Sequence, residues 1–261
     1  VLTSISMDHM SYLGNSLSAI AGEKAAIMKS GTPCISAAQS PDVESVINKI
    51  ATERDITVAW QGVDWTVEES PFGTVRYADV NTEWIAPRPA LPGPHQIGNV
   101  GLALATLARG PFAIPALGIR AGMRDVEWPA RLQKLNEGPL VKGLPEMWDL
   151  WLDGGHNPSA GAALASWLVE EPSSTIAICG MMAGKDNQGF LKPLMSNIST
   201  LITVPIPGHN GSMSANDLAA CARDTGFSDV IPSKGLDDAL AVAQTKVLVQ
   251  RGRLLVCGSL Y

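Results

Sequence analysis

Along the first sixty residues, short apolar runs alternate with segments whose apolar positions recur every three or four residues. Val1–Ser6 reads as a strand. Asn15 or Ser16 caps a helix running to about Lys29, where Gly31 and Pro33 stop it. Thr32–Ala38 predicts a strand, Asp42–Arg54 a helix and Ile56–Trp60 another strand. This alternation is the punctuation of a parallel sheet. The pattern then changes to period two. Trp65–Glu69 and Thr74–Val80 flank the turn Ser70-Pro71-Phe72-Gly73, and Glu83–Ala86 adds a third short strand. A stiff loop with Pro87, Pro89, Pro92 and Pro94 leads into an Ala/Leu-rich helix, His95–Arg109, and a second helix over Ile114–Met123.

The second half is regular. Strands are expected at Glu146–Leu152, Thr175–Cys179, Thr200–Val204, Asp229–Ile231 and Arg253–Cys257. Helices are expected at Asn157–Val169, Asn187–Ser196, Ser214–Thr225 and Leu236–Gln250. Asn157 caps the first with Pro158 in its first turn, and Ser214-Ala215-Asn216-Asp217 forms a capping box. Five strands joined by four helices predict a Rossmann-like open sheet of the α/β class. The domain boundary falls near Glu127–Arg131, giving domains 1–127 (with a small β-hairpin region at 63–86) and 128–261. Both ends lie inside predicted strands or next to one, so the chain reads as a fragment of a longer enzyme.

Composition narrows the function. The 261 residues are 46% hydrophobic and 17% charged, enough for a sizeable core. The formal net charge of −6 argues against a general nucleic-acid binder, whose affinity rests on basic clusters. No apolar run reaches the ~18 residues of a membrane helix, because Arg109, Pro111 and Pro115 interrupt the best candidate. Cys34, Cys179, Cys221 and Cys257 have no CxxC spacing and read as reduced core thiols, which predicts a cytoplasmic protein.

Several segments could carry chemistry. Lys24 falls on the stripe Leu17, Ile20, Ala21, Lys24, Ile27, Met28. A buried lysine there would have a lowered pKa, and its neutral amine could capture carbon dioxide as a metal-binding carbamate. A snorkelling side chain is the commoner alternative. His9 follows Asp8 after the first strand, where open α/β sheets place ligands, and could hold Mg²⁺ or contact phosphate. Asp153-Gly154-Gly155-His156-Asn157-Pro158 joins a strand to a helix, and glycines there let backbone approach a ligand near a helix N-terminus. Gly180-Met181-Met182-Ala183-Gly184-Lys185-Asp186 imitates a phosphate-binding loop. It has three residues between the glycines where four are needed, and Asp186 where Ser or Thr would hold Mg²⁺. It is therefore not a P-loop, and the 261 residues hold no other candidate. Lys185 could still meet a phosphate or a carboxylate. Gln96 and Asn99 carry amides one helical turn apart, and Arg131 is a lone phosphate-clamp candidate.

Taken together, these segments resemble folylpolyglutamate synthase/dihydrofolate synthase, of the Mur-ligase superfamily. The matching stretches are Thr3-Ser4-Ile5-Ser6-Met7-Asp8-His9, Leu13-Gly14, Ile20 through Lys29, His95-Gln96 with Asn99, Trp128-Pro129-Ala130-Arg131-Leu132-Gln133, Asp153 through Pro158, Lys185-Asp186 and Gly258-Ser259-Leu260-Tyr261. They occur in the family's order. The resemblance implies the C-terminal part of a Mur-ligase central domain followed by a Rossmann-like C-terminal domain. It implies an ATP- and Mg²⁺-dependent ligase in which ATP phosphorylates a folate or dihydropteroate carboxylate and L-glutamate displaces the phosphate. The enzyme would be a monomer with no membrane or nucleic-acid partner.

By the same resemblance His9 holds Mg²⁺ and Lys24, fifteen residues on, is the carbamylated lysine. Asn99 meets the adenine end of ATP, Arg131 its phosphates and Asp153 its ribose. His156 and Ser259 lie where the family places glutamate. The family usually has Gly at position 130 and Ala at position 155, where this chain has Ala130 and Gly155. The family's P-loop is not among these residues, so this polypeptide alone is expected not to turn over ATP. Two other readings stand beside it: a Mur ligase acting on peptidoglycan precursors, and a non-catalytic nucleotide- or ligand-binding module.

Overall fold

The computed structural model describes residues 1–7, 14, 16–246 and 251–259. The chain divides into two compact units, Val1–Glu127 and Trp128–Tyr261.

In the first unit, helix α1 (Leu17–Ala25) starts at Ser16, whose side chain accepts from Ala19 N. Strand β1 (Cys34–Ser36), helix α2 (Pro41–Glu53) and strand β2 (Val58–Trp60) follow, and β1 and β2 pair in parallel. The expected strand over Val1–Ser6 contracts to a single parallel bridge between Leu2 and Ser36. Beyond Leu2 the Gln39 side chain takes over the ladder: its Oε1 accepts from Ile5 N at 2.9 Å and its Nε2 donates to Thr3 O at 2.8 Å. Helix α1 also ends at Ala25, short of the expected Lys29.

Strands β3 (Trp65–Glu69), β4 (Thr74–Asp79) and β5 (Glu83–Pro87) form an antiparallel meander. Helix α3 (His95–Arg109) lies against it, and helix α4 (Ala116–Asp125) packs on β5. Gly101 lets α3 approach, since a Cβ there would collide with Val67 and Trp65. Trp65 and Tyr77 fill this core, with Trp84 packed on Tyr77.

The second unit contains β6 (Gln133–Leu135), α5 (Pro139–Lys142), β7 (Trp148–Asp153), α6 (Pro158–Glu170) and β8 (Ser174–Gly180). Then come α7 (Asn187–Leu191), β9 (Thr200–Thr203), α8 (Ala215–Thr225), β10 (Val230–Pro232), α9 (Leu236–Lys246) and β11 (Gly252–Gly258). The sheet order is β10-β9-β8-β11-β7-β6, parallel except for β6, which runs antiparallel to β7. Thus the α/β class and mainly parallel sheet hold, and the edge strand β6 and helix α5 are additions. With three and four residues, neither shows a period in sequence. The expected helix over Asn187–Ser196 breaks at Leu191 into a 3₁₀ turn, Lys192–Leu194, because Pro193 has no N–H to donate.

One face of the sheet is covered by α6, α7 and α8, through Leu164, Trp167, Phe190, Leu191, Leu218 and Ala222. The other face packs Ile176, Ile178 and Ile202 against Ala239 and Ala243 of α9. The central strands β8, β9 and β11 are therefore buried on both faces, which is why they read as continuous apolar runs. Among the described residues no helix is long and apolar enough to cross a membrane.

Candidate functional site

The C-terminal ends of the parallel strands gather most of the singled-out residues of the second unit. Strand β11 lies between β7 and β8, so three segments meet at one edge: the turn after Asp153, the loop after Gly180 and Gly258-Ser259. The last register row across the sheet runs Asp153, Cys257, Cys179, Thr203.

Asp153 is buried, and its two carboxylate oxygens serve different segments. Oδ1 accepts from Gly155 N at 2.7 Å, and Oδ2 accepts from Leu132 N at 2.9 Å. Gly154 N donates to Ala130 O at 2.9 Å, and Ala130 N donates to Gln133 Oε1 at 3.0 Å. Ala130 and Leu132 both have left-handed backbone, with φ of 56° and 46°. Arg131 sits between them with its side chain exposed. Among the described residues it has no ion pair and no side-chain hydrogen bond. Left-handed backbone favours glycine, so alanine at position 130 is held against its own preference.

His156 emerges from the same turn. Its Nδ1 lies 3.0 Å from Gly154 O. A carbonyl oxygen only accepts, so Nδ1 carries the proton and Nε2 presents a lone pair when the ring is neutral. Asn157 caps α6 by accepting from Ala160 N at 2.8 Å.

The loop after β8 does not fold as a phosphate cradle. Ala183 N donates to Gly211 O and Met213 N to Met181 O, so the loop pairs with the segment before α8. Asp186, in the place of a metal-binding hydroxyl, caps the short α7 by accepting from Gly189 N at 2.9 Å. Lys185 is half-buried beside it. Ser259 is locked onto the neighbouring strand end: its N donates to Gly180 O at 2.9 Å, and its Oγ accepts from Met182 N at 3.3 Å. Gly258 has φ of 116°, and a Cβ there would collide with the Gly180 carbonyl oxygen. Beneath the site, a hydrogen bond with Cys179 and full burial hold the Cys257 thiol protonated, well above the usual thiol range. All four cysteines are free, and Cys34, Cys179 and Cys257 are buried.

In the first unit, Asn99 is exposed on α3 and its Nδ2 donates to Gln96 Oε1 at 2.9 Å; Gln96 Nε2 lies 3.1 Å from His95 Nε2. Lys24 corrects the sequence reading. It is exposed, not buried. The side of α1 packed on α2 and β1 carries Ala21 and Ala25, and no described element covers the Lys24 flank. His9 lies outside the described residues, as do Leu13, Asn15, Leu260 and Tyr261. Among the described residues, no cluster of three or more His, Cys, Asp and Glu could hold a metal. The structure adds Gln133 to the site. Its signal in sequence was only its place at the end of the Trp128–Gln133 stretch.

A family model described as dihydrofolate synthetase, C-terminal domain, matches residues 144–261. The folylpolyglutamate synthase of Lacticaseibacillus casei is 29% identical over 94% of this chain and 61% of its own length. The Bacillus subtilis dihydrofolate synthase/folylpolyglutamate synthase is 30% identical over 100% of this chain and 60% of its own. The chain thus spans about three fifths of these curated relatives. The solved Mycobacterium tuberculosis folylpolyglutamate synthase complexed with ADP and AMPPCP superposes with a TM-score of 0.83 at 25% identity, covering 99% of this chain and 60% of that one. Escherichia coli FolC in complex with DHPP and ADP gives 0.83 at 25%, over 99% and 58%. By sequence and by fold, the chain is similar to the folylpolyglutamate synthase/dihydrofolate synthase family.

Proposed function

We propose that this chain forms part of an ATP-dependent, ADP-forming ligase that adds L-glutamate to dihydropteroate or to folate (poly)glutamates. The observation that carries the reading is Arg131: an exposed cation, unpaired among the described residues, held between two left-handed residues beside the Asp153–His156 turn. Such a guanidinium suits the phosphate chain of a nucleotide. The family's solved relatives with ADP and AMPPCP support the nucleotide.

In the reaction a substrate carboxylate oxygen attacks the γ-phosphorus and the bond to ADP breaks. The amine of glutamate then attacks the acyl carbon, phosphate leaves, and the nitrogen loses a proton. Arg131 draws charge from the phosphates, with Lys185 as a second cation. Asn99 meets the adenine and Asp153 the ribose. His156 and the Ser259 hydroxyl orient the incoming glutamate, and Nε2 of the neutral His156 ring takes the amine's proton.

A magnesium ion would add charge neutralisation to phosphoryl transfer. The described residues do not by themselves build its site, since Lys24 is exposed and no donor cluster is present among them. The assignment of His9 and a carbamylated Lys24 to the metal therefore rests on the resemblance alone, and no step here runs through it.

The chain holds no G-x-x-x-x-G-K-[ST] sequence. We therefore also propose that it binds ATP without turning it over alone. Calorimetric titration of the purified chain with ATP tests the first part. Binding weakened about tenfold by Arg131→Ala is expected, and no binding by the unaltered chain overturns the site. Release of ADP that depends on both dihydropteroate and glutamate would overturn the second part.

A further inference from the structure

We propose that Gln133, together with Asp153, is a positioning residue for Arg131. The inference rests on the reading of Arg131 as the phosphate-binding cation, and it concerns how the backbone holds that side chain out.

The segment Ala130-Arg131-Leu132 adopts a conformation it would not keep unaided. Two non-glycine residues with φ of 56° and 46° flank a single arginine. Left-handed backbone disfavours residues with a Cβ, so free peptide of this sequence would relax to extended or right-handed forms. Three bonds oppose that relaxation. Gln133 Oε1 accepts from Ala130 N at 3.0 Å and closes the turn from its far side. Asp153 Oδ2 accepts from Leu132 N at 2.9 Å. Ala130 O accepts from Gly154 N at 2.9 Å. Gln133 is itself fixed, because it opens β6 and pairs with Leu152, the residue before Asp153. Both braces therefore grow from adjacent positions of one strand pair.

The same atoms couple Arg131 to His156. The Gly154 N–H donates to Ala130 O and the Gly154 carbonyl receives His156 Nδ1 at 3.0 Å, while Asp153 Oδ1 holds Gly155 N at 2.7 Å. Arg131 and His156 thus hang from one hydrogen-bonded unit. Loss of the Gln133 acceptor frees the Ala130 end of it and lets the guanidinium drift from its place. The arginine itself remains.

The test uses the whole chain with ATP and adenosine as probes. Gln133→Leu removes the acceptor at similar size, and Gln133→Glu restores an acceptor. Gln133→Leu is expected to weaken ATP about tenfold while adenosine changes less than about twofold, with Gln133→Glu returning ATP to within about threefold of the unaltered chain. Equal weakening of both probes, or no weakening of ATP, overturns the proposal. Amide hydrogen exchange at residues 130–132 decides it independently of any nucleotide. Exchange faster by at least about tenfold in Gln133→Leu but not in Gln133→Glu supports the brace, and unchanged exchange overturns it. Failure of the unaltered chain to bind ATP would remove the reading of Arg131 and leave the brace to this second measurement.

Discussion

Asp153 Oδ2 accepts the backbone N–H of Leu132 at 2.9 Å, although the two residues are 21 positions apart. The carboxylate reaches across the end of β7 to a segment that precedes β6. Together with the Gly155 bond, each of its two oxygens accepts from a backbone amide in a buried setting. Charged acceptors on backbone N–H groups are among the stronger hydrogen bonds of a folded chain. The site is therefore organised around a backbone clamp, and the exposed Arg131 depends on it.

The left-handed backbone at Ala130 gives a contrast between two substitutions. Ala130→Val should cost about 2 kcal/mol or more, because a β-branched side chain at positive φ is strained and position 130 is buried. Ala130→Gly should change stability by less than about 1 kcal/mol, since relief of strain offsets a lost methyl and a freer unfolded chain. Urea denaturation of both variants checks this, and equal costs would show that φ at 130 is unimportant.

Gly258 allows no Cβ. Gly258→Ala should destabilise the second unit by more than about 2 kcal/mol, because the methyl would meet the Gly180 carbonyl oxygen at a backbone angle alanine avoids. The same change should loosen Ser259, which hangs on Gly180 by its N–H. A thermal midpoint equal to that of the unaltered chain would contradict it.

Asp79 links stability of the first unit to pH. Burial works to raise its pKa, but bonds from Asn81 N, Tyr77 OH and Thr82 N, with Arg109 nearby, outweigh it and leave the carboxyl below its ordinary value. A depressed folded pKa stabilises the fold fully above the unfolded value of about 3.9, and that contribution fades as pH falls through the folded value. Asp79→Asn should therefore cost about 1.5–3 kcal/mol near neutral pH and flatten the loss of stability below about pH 4. Denaturation midpoints measured from pH 3 to pH 7 decide the matter; parallel curves for the two proteins would reject it.

The exposure of Lys24 has its own consequence. Lys24→Ala should shift the unfolding free energy by less than about 0.5 kcal/mol, as for other exposed surface positions. A loss above about 1.5 kcal/mol would show that the amine or its stem is built into packing.

The sequence by itself determined the five parallel strands of the second unit and the helices between them, but not β6 or α5. Its central strands are buried on both faces, so their apolar runs are continuous, and caps such as Asn157 and Ser214 act within their own helices. Local signals were sufficient there because the deciding contacts are a few residues apart. The resemblance also brought Arg131, Asp153, His156 and Ser259 forward as candidate site residues by number.

Only the tertiary structure decided what those residues touch. Asp153 pairs with Leu132, Ser259 with Gly180 and Met182, and Gln133 with Ala130, through a turn whose angles no composition reveals. Lys24 occupies an apolar period yet is exposed, because periodicity marks a face and cannot say whether another element covers it. Arg253 shows the converse. It opens an apolar strand, and its guanidinium is buried 4.0 Å from the Trp167 ring, with Nη2 on Glu171 O at 2.9 Å. Burial of a polar group is set by partners distant in sequence, and those partners exist only once the chain has folded.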